Sequence, residues 1–447
     1  MKIKKHIYMI ISKIRKTDFR DEYFEINNIN DIDELLKFKE NHLKKLLLYA
    51  YKHVPYYHLE LKKAGVIHDE TVDLSKFDKI PILTKEILRR EELISDDYLT
   101  RKWYYNFSGG STGEPIKFVQ DLNYDRWYNA TQDFYYKDIL GVDEQSVKKI
   151  ELWGSPRDLF QGSIGLKAKI GMWLRNTIWL NSFRMTEADM DKYVKTINLY
   201  KPDFIRGYAG SLFELCRYVE MKNIKIFSPK IVVSSAETLT NEMREKIESV
   251  FGTKLYDFYG SRETASLAGE CKCGLMHIFE FNNYIEILDE NDQPVKEGKE
   301  GRIIVTNLHN YSMPFIRYEI GDIAILGPNK CKCGNILPTL KKIHGRIEEQ
   351  FIKKDGSIVI GYYFVHLLGV VLNKGFIKKF QVIQEDFNKI RILMVPNKIL
   401  PNSEKRDIED KIRMQMGQDC KIIWDFVDDI PKTKSGKYLY TKTLISR

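Results

Sequence analysis

No stretch of the 447-residue chain approaches the roughly 18–20 consecutive apolar residues that a membrane span requires. The longest apolar run near the start, Ile7 to Ile11, is too short for the core of a secretory signal, so a cytoplasmic location is expected. Cysteine is scarce, six in all, and four of the six fall in two CxC pairs, which is not how a secreted disulfide framework of this length is built. Internal repeats and low-complexity blocks are absent. So is a basic surplus in the main body: the formal +9 resolves into +6 in residues 1–16 and +6 in residues 346–447, leaving −3 for residues 17–345. A body of that sign offers nothing to a phosphate backbone, which excludes nucleic acid as the partner.

What is present is a large core. Apolar residues make up 43% of the chain and aromatics 12%, enough for two or three domains and too much for a disordered chain. From about 145 to 345, short β-branched runs (Lys230–Ser234, Asn283–Leu288, Gly301–Thr306) alternate with helical stretches (Glu187–Tyr200, Gly210–Lys222, Asn241–Phe251). Such alternation predicts an α/β fold with helices covering a sheet. Near His344–Gln350 the charge changes sign, and the lysine-rich segment beyond it has the size of a small α+β domain, with elements at Phe380–Gln384, Lys389–Val395 and Ile408–Met416. The expected division is therefore a large α/β domain, 1–345, and a small α+β domain, 346–447. Helical periodicity over 32–64 breaks at His53-Val54-Pro55. Residues 1–16 place Ile3, Ile7, Ile10, Ile11 and Ile14 at helical spacing among lysines, a basic amphipathic arm expected to dock on the body, with peripheral contact to a membrane surface as the alternative.

Several segments carry groups suited to chemistry. Phe107-Ser108-Gly109-Gly110-Ser111-Thr112-Gly113-Glu114-Pro115 is a loop of glycines and hydroxyls whose N–H groups can wrap anionic oxygens. No lysine follows its last glycine, so it is not the loop of a P-loop NTPase. Tyr256-Asp257-Phe258-Tyr259-Gly260-Ser261-Arg262-Glu263 sets an aromatic face and a carboxylate after a strand. Ile316-Arg317-Tyr318-Glu319-Ile320-Gly321-Asp322 ends in an aspartate, and Pro431-Lys432-Thr433-Lys434-Ser435-Gly436-Lys437 offers a lysine near the C-terminus.

Taken in order, SGGSTGEP, YGSRE, RYEIGD, GR and PKTKSGK resemble the core motifs of the adenylate-forming superfamily of acyl- and aryl-CoA ligases, nonribosomal adenylation domains and luciferases. HVPYY at 53–57, Lys79–Lys85, Ser234-Ser235-Ala236-Glu237 and Glu270-Cys271 leading to His277 narrow the resemblance to the phenylacetate–CoA ligase and CapK-like branch, over essentially the whole chain from about residue 35. The resemblance implies an ATP- and Mg²⁺-dependent ligase with a mobile C-terminal lid. It implies that Ser108, Gly109, Gly110, Ser111, Thr112 and Gly113 hold the ATP phosphates, that Ala236, Glu237, Asp257, Phe258, Tyr259 and Gly260 surround the adenine, and that Asp322 holds the ribose. Glu263 would bind Mg²⁺, while Arg317 and Arg346 would contact the nucleotide. Lys437 would bridge the substrate carboxylate and the α-phosphate, and Glu348 would be the hinge. Trp153, Gly154, Tyr208, Ala209, Gly210 and Ser211 would line the acid pocket, with Arg157 and Arg206 nearby. Arg262 stands where many relatives carry Ser or Thr.

Cys271-Lys272-Cys273-Gly274 and Cys331-Lys332-Cys333-Gly334 are matching knuckles whose four thiolates suit a closed tetrahedral Zn²⁺ site, with His277 as an alternative ligand. The segment Phe351–Gly361 departs from the aryl-CoA ligases and resembles the capsule-associated CapK-like group. The expected activity is formation of an acyl-AMP from a carboxylic acid and transfer to an amine, hydroxyl or thiol in surface-polysaccharide synthesis, by a monomer or homodimer. An aryl- or acyl-CoA ligase is the first alternative, and a zinc-stabilised binding protein without activity the second.

Overall fold

The computed structural model describes the chain except for residue 1 and residues 108–115, 154–165, 183–184, 238, 240, 347–349, 357, 369–375, 431–439 and 446–447. An eleven-stranded sheet runs through the large unit. Its first half is parallel, in the spatial order Thr177–Asn181, Lys149–Trp153, Phe204–Tyr208, Ile231–Ser235, Leu255–Ser261. The helices Glu187–Tyr200, Ala209–Met221 and Asn241–Phe251 form the crossovers, each within a residue or two of its predicted span. From Leu255–Ser261 the sheet continues antiparallel through Ala265–Glu270, Met276–Ile278, Thr339–Arg346, Tyr318–Leu326, Glu300–Asn307 and Asn283–Leu288. The last strand of the large sheet thus reaches Arg346, one residue past the expected boundary.

Local chemistry explains where elements begin. Asp31 accepts a hydrogen bond from the Glu34 N–H and caps the helix Ile32–His53, whose Leu35, Leu43, Leu46, Leu47 and Ala50 form a buried stripe. Pro55 stops that helix and opens Pro55–Lys63 at its first position, where its missing N–H costs nothing. Thr186 and Asp189 close a capping box at the head of Glu187–Tyr200. Buried Ile150, Leu152, Ile205 and Val232 pack under the crossover helices with Leu212, Phe213 and Ile247.

The C-terminal unit has its own core, drawn wholly from residues 351–440 and including Phe351, Phe364, Val382, Ile392, Ile408 and Ile412. Its four-stranded sheet has the order Lys421–Phe426, Lys389–Pro396, Ile377–Asp386, Thr441–Thr443, and the helix Asn402–Met416 packs on it. The observed α+β character is the one the sequence predicted. The arm forms the helix Lys2–Ile14 and docks on the body, with Ser12 inward and Ile7, Ile10 and Ile14 outward.

One close approach fixes the strand that leads to the first knuckle. A Cβ on Gly269 would overlap the ring of Tyr135, which is fully buried and donates its hydroxyl hydrogen to the Glu270 carbonyl at 2.9 Å. Gly269→Ala is expected to lower unfolding stability by about 1–3 kcal/mol, the usual cost of overpacking, read from the urea midpoint; an unchanged midpoint would show that the ring can yield.

Candidate active site at the strand ends

Trp153, Tyr208, Ser235-Ala236-Glu237 and Tyr259-Gly260-Ser261 all stand at or just beyond the C-terminal ends of parallel strands, where open α/β sheets present ligand crevices. Asp322 is brought there from the antiparallel half. Gly321 adopts φ +90°, and the pairing with Glu300–Asn307 slips between Arg302 and Ile304. Only glycine takes that conformation without strain, and the resulting bulge re-aims the aspartate that follows. The Tyr259 hydroxyl donates to Asp322 Oδ2 at 2.7 Å, joining the two halves of the sheet at the site. Arg346 lies opposite Asp322 in the backbone register with the neighbouring strand.

Glu263 sits in the tight turn between Leu255–Ser261 and Ala265–Glu270 and is only 5% exposed. Ser261 ties this turn by accepting from the Thr264 N–H at 3.1 Å, and the Arg262 carbonyl accepts from Gln120 Nε2 at 2.7 Å and from the Tyr124 hydroxyl at 3.0 Å. Gly260 is required beside it, since a Cβ there would stand 2.6 Å from the Ala265 carbonyl oxygen. Among the described residues, no hydrogen bond or ion pair engages the Glu263 carboxylate. A buried, unengaged carboxylate is a donor suited to a hard divalent cation.

Asp257 accepts from Ser234 Oγ at 2.8 Å and from the Phe258 N–H at 3.1 Å. Its own N–H goes to Glu270, which is paired with Arg244 at 2.7 Å. Burial pushes the Asp257 carboxyl up to about 7; the Ser234 hydrogen bond and Arg244 pull it back, while Glu270 adds to the rise.

Several expected contacts are replaced by structural ones. Arg317 is 2% exposed and not aimed at a nucleotide: it forms a two-pronged ion pair with Glu286, at 3.0 and 3.1 Å, and donates to the carbonyls of Asp78 and Ile80. Phe258 packs in a core against Tyr135 and Tyr136 rather than beside a base. Ser211 is 1% exposed and donates inward to the Ser182 carbonyl, so it does not line a wall. The Glu237 carboxylate accepts the Gly210 N–H at 2.7 Å, capping the helix Ala209–Met221 and leaving that amide unavailable to a substrate. Trp153 and Tyr208 stack at 4.4 Å, and Arg206, paired with Glu151 and Tyr136, underlies the Trp153 ring. Ser108 to Gly113, Gly154, Arg157, Glu348 and Lys437 lie outside the described residues.

The motifs upstream also have structural work. Tyr57 of HVPYY donates to the Pro314 carbonyl and accepts from the Ile316 N–H, at 3.0 and 3.1 Å. Leu83 of the 79–85 motif exchanges backbone hydrogen bonds with Arg317 and Glu319. Both hold the segment that delivers Asp322. Sequence reasoning missed Gln120, Tyr124 and Arg244, which carry no local pattern and acquire their roles from contacts across more than a hundred residues or across the sheet.

The knuckles are a matched pair: in each, the glycine takes φ +83° and donates its N–H to the carbonyl of the first cysteine. Cys271, His277, Cys331 and Cys333 bring one donor atom each within 4.8 Å of one another. Cys271 and Cys331 sulfurs are 3.6 Å apart, near the edge of about 3.8 Å that four zinc bonds of about 2.3 Å imply. The His277 Nδ1 faces the Leu337 carbonyl at 3.0 Å, which leaves Nε2 toward the cluster, 3.1 Å from Cys333. Cys273, expected as a ligand, is not in this group, whose fourth member is His277, although its thiol also interacts with those of Cys271 and Cys331. The Cys273 N–H donates to the Cys271 sulfur at 3.4 Å. Burial raises the Cys271 thiol, but the hydrogen bonds of His277 and of that N–H outweigh it, bringing it to about 6, while burial raises Cys333 to about 12.

Comparison with known proteins gives the class first. The fold is that of solved 2-hydroxyisobutyryl-CoA ligase structures: one in the postadenylation state with R3-HIB-AMP superimposes with a TM-score of 0.61 at 16% identity, over 92% of this chain and 89% of that one. A second, with 2-HIB-AMP and CoA in the thioesterification state, gives a TM-score of 0.60 at 17% identity, over 91% and 90%. Residues 351–443 match the family of the CapK C-terminal domain. Protein CapK of Staphylococcus aureus is 24% identical over 433 residues, covering 93% of this chain and 90% of that protein. The phenylacetate-coenzyme A ligase of Escherichia coli (strain K12) is 26% identical over 349 residues, covering 73% and 74%. The chain is homologous to CapK and to the phenylacetate–CoA ligases, and it shares the fold of solved adenylate-forming CoA ligases.

Asp257 gives a sign that can be checked. Its folded value lies above the ordinary 3.8, so between about 4 and 7 the folded state keeps a proton that the unfolded state has lost, and stability falls as pH rises through that window. Asp257→Asn is therefore expected to be more favourable relative to the native chain at pH 8 than at pH 5 in urea unfolding. An identical difference at both pH values would show that the carboxyl is not raised.

Proposed function

We propose that the protein uses ATP and Mg²⁺ to activate a carboxylic acid as an acyl-AMP and passes the acyl group to an amine, hydroxyl or thiol acceptor in the building of a surface polysaccharide. The activation step is supported chiefly by Asp322, fastened by the Tyr259 hydroxyl, together with the little-exposed Glu263 in the turn that follows the Tyr259 strand. Asp322 accepts the ribose hydroxyls, a pairing that a carboxylate makes with two lone-pair-bearing oxygens. Tyr259 fixes its direction and offers a ring face to the adenine. Ser234 and the Phe258 N–H orient Asp257 as an acceptor for the exocyclic amine. Glu263 holds the cation that neutralises phosphate charge. The loop Ser108–Gly113 binds the phosphates, and Lys437, carried by the lid that swings about Glu348, neutralises the two anions that must meet while closure excludes water.

The acceptor reading rests on a difference in coverage. Similarity to CapK extends over 93% of the chain, whereas similarity to the phenylacetate–CoA ligases extends over 73%, and the C-terminal unit matches the CapK type. The C-terminal unit is thus of the CapK type rather than the phenylacetate–CoA ligase type, and that difference supports an acceptor other than CoA. A CoA ligase is the second reading, favoured by the 26% identity to the Escherichia coli enzyme.

Zn²⁺ fits Cys271, His277, Cys331 and Cys333. With all four positions filled by protein the ion is structural: it staples the turn after Ala265–Glu270 to the loop before Thr339–Arg346, on either side of the short strand Met276–Ile278. Metal analysis of purified protein is expected to give about one zinc per chain, retained in Cys273→Ser and lost with a drop in stability in His277→Ala. Zinc lost from Cys273→Ser but kept in His277→Ala would reverse the ligand assignment.

Carboxylic-acid-dependent ATP–pyrophosphate exchange tests activation. Glu263→Gln and Asp322→Asn are expected to lower it by about a hundredfold or more, and Tyr259→Phe by about tenfold through a raised KM for ATP. Exchange that survives both carboxylate changes would refute the site. Product analysis with CoA, amines and sugars then separates the two acceptor readings.

A further inference from the structure

The face of the N-terminal helix that meets the body is the wrong one for a simple packed terminus. Lys4 Nζ donates to the Trp173 carbonyl at 3.2 Å and to Asn176 Oδ1 at 3.3 Å, and Lys5 Nζ donates to Asp143 at 2.8 Å and Ser146 at 3.0 Å. Ser12 is the buried residue on this side. The helix is thus pinned by polar bonds, and its isoleucine stripe points away: Ile10 is 61% exposed and Ile14 76%, with Ile7 also in water. The spacing of seven, ten and fourteen puts all three on one face.

The helix Leu166–Leu174 continues that surface. Ile170 and Trp173 on it are exposed, the latter at 58%, and the Lys4 ammonium sits 4.0 Å from the centre of the Trp173 ring, so the tryptophan lies directly beside the arm. Lys13, Arg15, Lys16, Lys169 and Arg175, on these two helices or just past their ends, are exposed, and residues 1–16 contain no acidic side chain. Aliphatic residues flanked by lysines, with an indole at the edge, are the composition of a helix that lies in a lipid–water interface.

We propose that these two helices form a docking surface for a bilayer containing anionic phospholipid, on which the protein rests without inserting a span. Charge selects this occupant. A second copy meeting the patch face to face would set two arms of +6 against each other, whereas the lipid phosphates are opposite in sign. Among the described residues no helix is long and apolar enough to cross a membrane, so the contact is one of lying on the surface. The inference is independent of the chemistry at the strand ends.

Co-sedimentation of the full chain with vesicles of phosphatidylcholine containing about 30% phosphatidylglycerol tests it, with pure phosphatidylcholine vesicles as the reference. Binding is expected only to the anionic vesicles and to weaken in high salt. Lys13→Glu with Lys16→Glu should weaken it by about fivefold per residue or more, and Ile10→Glu with Ile14→Glu should abolish it. Brominated lipid should quench the native chain more than Trp173→Phe. Retained ATP–pyrophosphate exchange, or an unchanged circular dichroism spectrum if exchange itself is absent, shows that the variants fold. No binding to anionic vesicles, equal binding to neutral ones, binding indifferent to the isoleucine changes, or a dimer dissolved by those same changes would each overturn the proposal.

Discussion

The buried guanidinium of Arg317 is the constraint on which the site depends. It reaches from a residue at φ +52° to Glu286 two strands away and to the carbonyls of Asp78 and Ile80, and it is almost wholly out of water. Burial alone would push the Glu286 carboxyl up, and Arg317 pulls it back. Removing one partner of such a pair leaves a buried charge uncompensated, at a cost of about 3–5 kcal/mol. The pair therefore holds the segment 78–83 against the strand Tyr318–Leu326, and with Tyr57 it sets the path that ends in the Gly321 bulge and Asp322. The aspartate can wait in position because everything preceding it is locked.

A second restraint acts from the other side of the sheet. The knuckle cluster joins the turn after Ala265–Glu270 to the loop before Thr339–Arg346, and those two strands flank Met276–Ile278. One of them continues the hairpin that carries Glu263; the other runs beside Asp322. Glu263 and Asp322 belong to the antiparallel half, while the strand Leu255–Ser261 supplies Asp257 and Tyr259. The candidate site residues come from both halves, and buried polar pairs such as Arg317–Glu286 hold the segments around them.

Periodicity was enough to read the crossover helices and the small C-terminal unit, because each buries an apolar stripe that recurs at regular spacing. Residues on turns after strands were legible as well: the motif around Glu263 and the Gly-Asp pair owe their placement to local backbone needs. Long-range pairing was not legible. Nothing near Arg317 in the chain announces Glu286, and nothing near the knuckles shows that His277 joins three of their cysteines. Phe258 and Ser211 sit inside family-like motifs yet point into the core, since alternate residues of a strand and inner turns of a helix face opposite ways. In the arm, helicity and amphipathicity were evident in the sequence, but the side it turns to the body is set by Lys4 and Lys5 meeting Asn176 and Asp143.

The central claim is that a nucleotide is seated at the strand ends between Tyr259, Asp257 and Asp322. Hydrogen exchange of the full chain with and without a non-hydrolysable acyl-adenylate analogue tests it most directly. Slowed exchange concentrated in 234–237, 256–264 and 318–323, with the knuckles and the arm unchanged, is the predicted result. Tight binding of the analogue with protection elsewhere, and none in those three segments, would contradict the account.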